Sequence, residues 1–255
     1  MASAPPATRG DRPNGTRWPR GALLVRSGKV RRAQRPRLPS PHEPRGGAGV
    51  SHGVVPDRVA EGARAGIGPL ARALAGIGIS ANAVTVAGGA LSVVGGGLLA
   101  TGMPLPALLV LLVGTLADTL DGQIAKASGG GTRLGAFLDS TIDRVADGAL
   151  FVGAAASGAN LGQPLLLWSS LIALVASFMV PYVRAKAESL GVGASVGPAP
   201  REARIVIFLI GLAAWGVFDV QALFVAAVVA LALLSSITFV LRVVHVGRQL
   251  STKER

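Results

Sequence analysis

Five aspartates crowd into thirty positions of this chain: Asp118, Asp121, Asp139, Asp143 and Asp147. The first two are three positions apart and the other three are four apart, so on helices each set shares one face. The stretches around them are dominated by Ala, Leu, Val and Gly. A carboxylate at membrane depth costs at least about 2.5–3.5 kcal/mol, and several together also repel one another. A bound cation compensates most directly. The chain has no Cys and no His close to these positions. An all-oxygen ligand set suits a hard cation, Mg²⁺ or else Mn²⁺ or Ca²⁺. Asp118, Asp121, Asp139 and Asp143 are the expected ligands. Four carboxylates would over-charge a single Mg²⁺, so two ions, or one ion beside a protonated Asp, are expected. Asp147, one turn past Asp143, is expected to hydrogen-bond to the cluster without ligating.

The segment joining the two sets is Gly129-Gly130-Gly131-Thr132-Arg133, a Gly-rich turn with backbone N–H groups, a hydroxyl and a cation. Such a turn suits phosphate oxygens. Gly122 and Gly135 flank the carboxylates, leaving room for a ligand or a neighbouring helix. Beside a cluster of hard-metal ligands, such a turn points to a phosphate-bearing ligand.

Positioning these groups falls to apolar helices. Long apolar stretches lie near 82–102, 105–126, 134–157, 164–185, 203–218 and 221–241, each close to the length a bilayer requires. The expected fold is an all-α integral membrane protein with six transmembrane helices. Small-residue clusters such as Gly88-Gly89 and Gly95–Gly97 let such helices approach closely. The short turn between the second and third spans makes those two antiparallel neighbours. Asp118 then lies about 12 Å of helical rise from Lys126, and Asp139 about 9 Å from Arg133, so both pairs sit at similar depth.

Charge sets the orientation. The connections near 102–104 and 158–163 carry none, and the one near 219 only Asp219. Lys126 and Arg133 flank the second-to-third connection; Arg184, Lys186, Arg201 and Arg204 flank the fourth-to-fifth; Arg242, Arg248, Lys253 and Arg255 lie towards the C-terminus. All basic segments fall on one side, so both termini and the carboxylates are expected at the cytoplasmic face of the cell membrane. Before the first span, Val59, Ala63, Ile67, Leu70 and Leu74 make one apolar stripe, as in an interfacial amphipathic helix that Pro69 kinks or splits.

The expected organisation is a disordered basic tail over 1–55, a juxtamembrane helix over 56–79, the six-helix domain over 80–245 and a cytoplasmic tail over 246–255. The formal net charge of +12 is mostly the tail's, since residues 1–50 hold ten Arg and Lys29 against Asp11 and Glu43. Aromatics are only 4% of the chain, too few for base-stacking platforms, so nucleic acid is excluded as the partner. The absence of Cys excludes a disulfide scaffold and a cysteine nucleophile.

Read together, Asp118-x-x-Asp121-Gly122-x-x-Ala125-Lys126, eight residues, then Gly135-x-x-x-Asp139-x-x-x-Asp143 resembles the signature of the CDP-alcohol phosphatidyltransferases. The family has Arg where Lys126 stands; every other position matches. The resemblance covers roughly residues 57–245 and implies a six-span membrane enzyme that displaces CMP from a CDP-linked lipid with an alcohol. It implies that Asp118, Asp121, Asp139 and Asp143 hold two metals, with Asp143 also the base that takes the acceptor's proton. It implies that Gly122, Lys126 and Thr132 contact the CDP moiety. The family's Thr-Pro-Asn-like turn before the first span corresponds here to Ser80-Ala81-Asn82-Ala83, so only part of that contact set carries over. A homodimer is also implied.

Within the family, Gly129–Asp139 and the segment Tyr182-Val183-Arg184-Ala185-Lys186-Ala187-Glu188 resemble the actinobacterial phosphatidylinositol phosphate synthases. That likeness implies CDP-diacylglycerol as donor and 1D-myo-inositol 3-phosphate as acceptor, with Arg184, Arg201 and Arg204 on the acceptor's phosphate. Pro181 and the stretch Ala199–Arg204 depart from that subgroup. Glycerol 3-phosphate is the alternative phosphorylated acceptor. A cation or proton transporter is a remote alternative, because the first, fourth, fifth and sixth spans carry no acid and no repeat is evident.

Overall fold

The computed structural model describes residues 57–198 and 200–253, with side chains from Ile67 onward. The basic segment expected as a disordered tail lies outside the described residues, as do the side chains of Val59 and Ala63. Seven helices make up the described residues: α1 (Asp57–Gly76), α2 (Ala81–Ala100), α3 (Pro104–Ala127), α4 (Arg133–Asn160), α5 (Pro164–Ser189), α6 (Arg201–Phe218) and α7 (Gln221–Lys253). There is no strand among them.

Local chemistry sets the helix starts. Ser80 caps α2 by accepting from Ala83 N–H, and Thr132 caps α4 by accepting from Gly135 N–H at 2.9 Å. Pro104 and Pro164 open α3 and α5, where the missing N–H has no helical partner to lose. At the other end of α6, Asp219 takes a left-handed conformation (φ 57°) and turns the chain into α7. Helix α1 continues through Pro69.

Helices α2, α3, α5 and α7 are long and apolar enough to cross a membrane. Helix α4 carries Asp139, Asp143, Arg144 and Asp147, and α6 has 18 residues that open with Arg201, Glu202 and Arg204. Their charge, not their length, sets these two apart from the expected six spans. Two boundaries differ from the sequence reading. Helix α6 begins at Arg201, so both of its arginines are helical, and α7 continues to Lys253. At 33 residues α7 is about 50 Å long, well beyond the hydrocarbon thickness of about 30 Å.

Helix α2 packs on α3 and α4, α5 on α4 and α7, and α6 on α7 and α3, while α1 lies on α3. The core runs through Phe151, Phe208, Phe224 and Trp215, whose rings meet in sequence at centroid distances of 5.4–5.8 Å. Outward-facing residues include Leu109, Val113, Val152, Val175, Ile210 and Leu233, all more than half exposed. A surface this apolar is a liability in water and ordinary against lipid. Ile67 and Leu74 of α1 pack with buried Ala71 against Leu120 and Ile124 of α3, whereas Leu70 stays exposed.

Glycine decides how near α2 and α4 come. A Cβ at Gly96 would collide with the Ala149 carbonyl, and one at Gly153 with the Gly96 carbonyl, so small residues set this backbone contact. Gly96→Leu should therefore destroy monodisperse elution in detergent. Gly97→Leu, whose side chain meets open space, should elute as the native chain does.

Candidate active site

The carboxylates come from α3 and α4, joined by the turn at 128–132. Gly129 and Gly130 have φ of 97° and 112°, a region L-residues avoid. That turn reverses the chain and brings Asp118 and Asp121 against Asp139: one carboxylate oxygen from each lies within 4.8 Å of the others. Asp121 is buried, Asp118 half-buried and Asp139 exposed.

Asp143, expected as the fourth ligand, lies outside that trio. One of its oxygens is 2.9 Å from Arg201 Nη1 and the other 3.4 Å from Arg144 Nη1. Arg201 Nη1 also donates to Asp118 at 3.3 Å, and its Nε to Asp147 at 3.3 Å. Arg204, one turn on, donates to the other oxygen of Asp147 at 3.2 Å. Both Asp147 and Arg204 are buried. The first turn of α6 thus reaches three of the five aspartates.

This alters the charge problem posed by the sequence. Five carboxylates face three guanidiniums, leaving two negative charges. That is the charge of one divalent ion, and the trio with the fewest cationic partners is Asp118, Asp121 and Asp139. The donor set is all oxygen, as a hard cation requires. By donor type, spacing and charge the residues fit such an ion.

Beside the trio opens a cavity of about 540 Å³ lined by Ser80, Ala81, Asn82, Thr85, Asp121, Gly122, Thr132, Gly135 and Asp139, among others. Five of the seven residues expected to contact CDP therefore share one wall: Ser80, Ala81, Asn82, Gly122 and Thr132. Lys126 and Ala83 are exposed and do not line it. The N-termini of α2 and α4 both border the cavity through their caps, Ser80 and Thr132, a favourable setting for anionic groups. The Asn82 side chain reaches the space where Gly135 lacks a Cβ.

Of the three arginines expected to meet an acceptor phosphate, Arg201 and Arg204 stand together at the carboxylates. Arg184 is exposed and pairs with Glu188 on its own helix at 2.9 Å. Two features escaped the sequence reading. The first is the arginine–aspartate network, whose signal was available: Arg201 and Arg204 are i, i+3 and so share a helix face, and Asp147 was an acid without a counter-charge. The second is Thr85, buried on α2, whose Oγ1 lies 2.5 Å from Asp121 Oδ2. Asp147 does act as a hydrogen-bonding residue, with arginines as its partners.

Comparison with known proteins agrees with this geometry. Residues 79–249 match the model of the CDP-alcohol phosphatidyltransferase family. A phosphatidylinositol phosphate synthase of Mycobacteroides abscessus is 40% identical over 155 residues, 60% of this chain and 70% of the relative. Across three such relatives the alignments span 62% to 70% of the relative's length. The crystal structure of Mycobacterium tuberculosis phosphatidylinositol phosphate synthase with CDP-DAG bound superposes with a TM-score of 0.65 at 36% identity, covering 71% of this chain and 92% of that one. The same enzyme with manganese and citrate gives 0.66 at 35% identity, covering 71% and 88%. On its motif, its fold and these relatives, the chain belongs to the CDP-alcohol phosphatidyltransferase family.

Proposed function

We propose that this enzyme moves a phosphatidyl group from CDP-diacylglycerol to 1D-myo-inositol 3-phosphate at the cytoplasmic face of the cell membrane, yielding phosphatidylinositol phosphate and CMP. One observation carries the reading. The carboxylate trio has a cavity of about 540 Å³ on one side and the half-buried Arg201 and buried Arg204 of α6 on the other. Donor and phosphorylated acceptor take separate walls in this reading, on either side of the carboxylate cluster. The relatives named as phosphatidylinositol phosphate synthases support the choice of acceptor.

In this reading α2–α7 are six spans, with α4 and α6 shielding their charges inside the bundle. Helix α1 lies along the lipid interface as the juxtamembrane element of 56–79, 80–245 is the catalytic domain, and the remaining segments are cytoplasmic. A homodimer is the assembly proposed from family resemblance. Asp118, Asp121 and Asp139 would hold Mg²⁺, with two ions expected in the loaded site, and the metal would supply positive charge against the phosphates. Mn²⁺ would serve the same site.

The chain's own residues do the rest. Gly122, Thr132 and the turn from Ser80 to Ala83 orient the CDP group, with Lys126 at the rim as a flexible point charge where Arg would offer a fork. Arg204 Nη1, buried and without a hydrogen-bond partner among the described residues, is a donor that a phosphate oxygen satisfies. Arg201 and Arg204 hold the acceptor's phosphate, and Arg184 adds charge at the approach. Asp143 takes the proton of the acceptor hydroxyl. The new bond forms from that oxygen to the lipid-bearing phosphorus as the bond to the CMP oxygen breaks, the two oxygens in line.

The test is CMP release from CDP-diacylglycerol by membranes containing the chain, with inositol 3-phosphate and glycerol 3-phosphate offered separately. Release is expected with the first, lost on chelation and restored by Mg²⁺ or Mn²⁺. Release with glycerol 3-phosphate alone overturns the acceptor, and release with neither overturns the reaction.

A further inference from the structure

Thr85, on α2, is hydrogen-bonded to the carboxylate cluster through Asp121. It sits one turn into α2, buried, between two spaces. On one side is the cavity lined by Ser80, Asn82 and Asp139; on the other is a small enclosed one lined by Ser92, Asp118, Asp143 and Arg201. Its Oγ1 is 2.5 Å from Asp121 Oδ2 and 3.0 Å from the Ala81 carbonyl. A hydroxyl has one proton. The Ala81 carbonyl is already within reach of Thr85's own backbone N–H in the helix, and an ionised acceptor makes the shorter and stronger bond. The hydroxyl therefore donates to Asp121.

The consequence lies in the carboxylate's freedom. Asp121 is the buried member of the trio, and the torsion that turns its carboxyl group is broad. A donor on one oxygen fixes that torsion and leaves the plane of the group set toward Asp118 and Asp139. The tie also crosses between helices: α2 carries the turn proposed to hold the nucleotide, and α3 carries the carboxylate.

We propose that Thr85 is the positioning residue of the metal site, orienting Asp121 from α2 so that metal affinity and the nucleotide-side wall are set by one contact. The inference rests on the reading of Asp118, Asp121 and Asp139 as metal ligands. Groups that orient ligating carboxylates typically change metal affinity by 10–100-fold when removed.

The experiment is a Mn²⁺ titration of the purified full chain in lipid nanodiscs, read by the loss of the free-Mn²⁺ electron paramagnetic resonance signal. Asp139→Asn is the control for the site itself. Thr85→Val keeps the volume between α2 and α3 and removes the hydroxyl; it should weaken Mn²⁺ binding by at least tenfold. Thr85→Ser keeps the hydroxyl and should stay within about threefold of the native chain. Thr85→Ala replaces Val if Val perturbs the helix contact, which the melting temperature without metal reports. Native affinity in the Val or Ala variant, or a loss in Ser equal to that in Val, overturns the positioning role while leaving the metal site standing. Native binding that Asp139→Asn does not diminish overturns the metal reading and this inference together.

Discussion

Replacing Asp143 with Asn is expected to cut phosphatidyl transfer by about 10²–10⁴-fold, the range a general base contributes, while CDP-diacylglycerol binding stays within a few-fold of native. The two effects separate because of where Asp143 sits. It lies outside the trio of Asp118, Asp121 and Asp139 and is held by Arg201 at 2.9 Å and Arg144 at 3.4 Å. The amide keeps the shape and still accepts from Arg201, but it no longer takes a proton. Titration with Mn²⁺ and binding of the CDP-lipid report the intact part of the site; single-turnover CMP release reports the lost part. If turnover survives, Asp143 is not the base. If metal affinity collapses along with it, Asp143 belongs to the ligand set and the charge distribution given above is wrong.

Asp147→Ala is expected to produce the largest loss of stability among single changes at this site. Asp147 receives Arg201 on one oxygen and Arg204 on the other, and both Asp147 and Arg204 are buried. Removing it strands the Arg204 charge inside the bundle and frees Arg201 from one of three anchors. Breaking a buried pair by deleting one partner costs about 3–5 kcal/mol. For a domain of this size that lowers the melting temperature by on the order of 10 °C. Asp147→Asn keeps the hydrogen bonds in part and should fall between. The acceptor's KM should rise in both variants, because the proposed phosphate-holding arginines lose their alignment, and the KM for the CDP-lipid should change less. A melting temperature unchanged in Asp147→Ala would mean that water reaches Arg204 and that the network does not hold α6 in place.

The same network shows where reading the residues in line stops. The four signature aspartates are locally encoded: spacing of three and four on a helix fixes which share a face, and the Gly-rich turn at 128–132 fixes that the two faces meet. That much needs only helical geometry. The compensation of their charge is not local. Arg201 lies 83 positions from Asp118 and 54 from Asp147, and no spacing rule links them. Read locally, the excess negative charge falls to a second ion or a bound proton; in the fold two arginines of α6 also stand against it. Thr85 was missed for the same reason, since its partner Asp121 is 36 positions away. Arg184, grouped with the other arginines by sequence proximity, turns instead to Glu188 on its own helix.

What the chain's order alone determined is the class of chemistry and the scaffold. Carboxylates too costly to leave bare in apolar helices demand a cation, and a rigidly spaced motif places them together at one end of a bundle. What only the tertiary structure decided is which carboxylates face one another and which are neutralised by the protein itself. Those depend on how α6 packs against α3 and reaches α4 with its arginines, set by packing between distant segments, and electrostatic energies at these few-ångström separations turn on that packing.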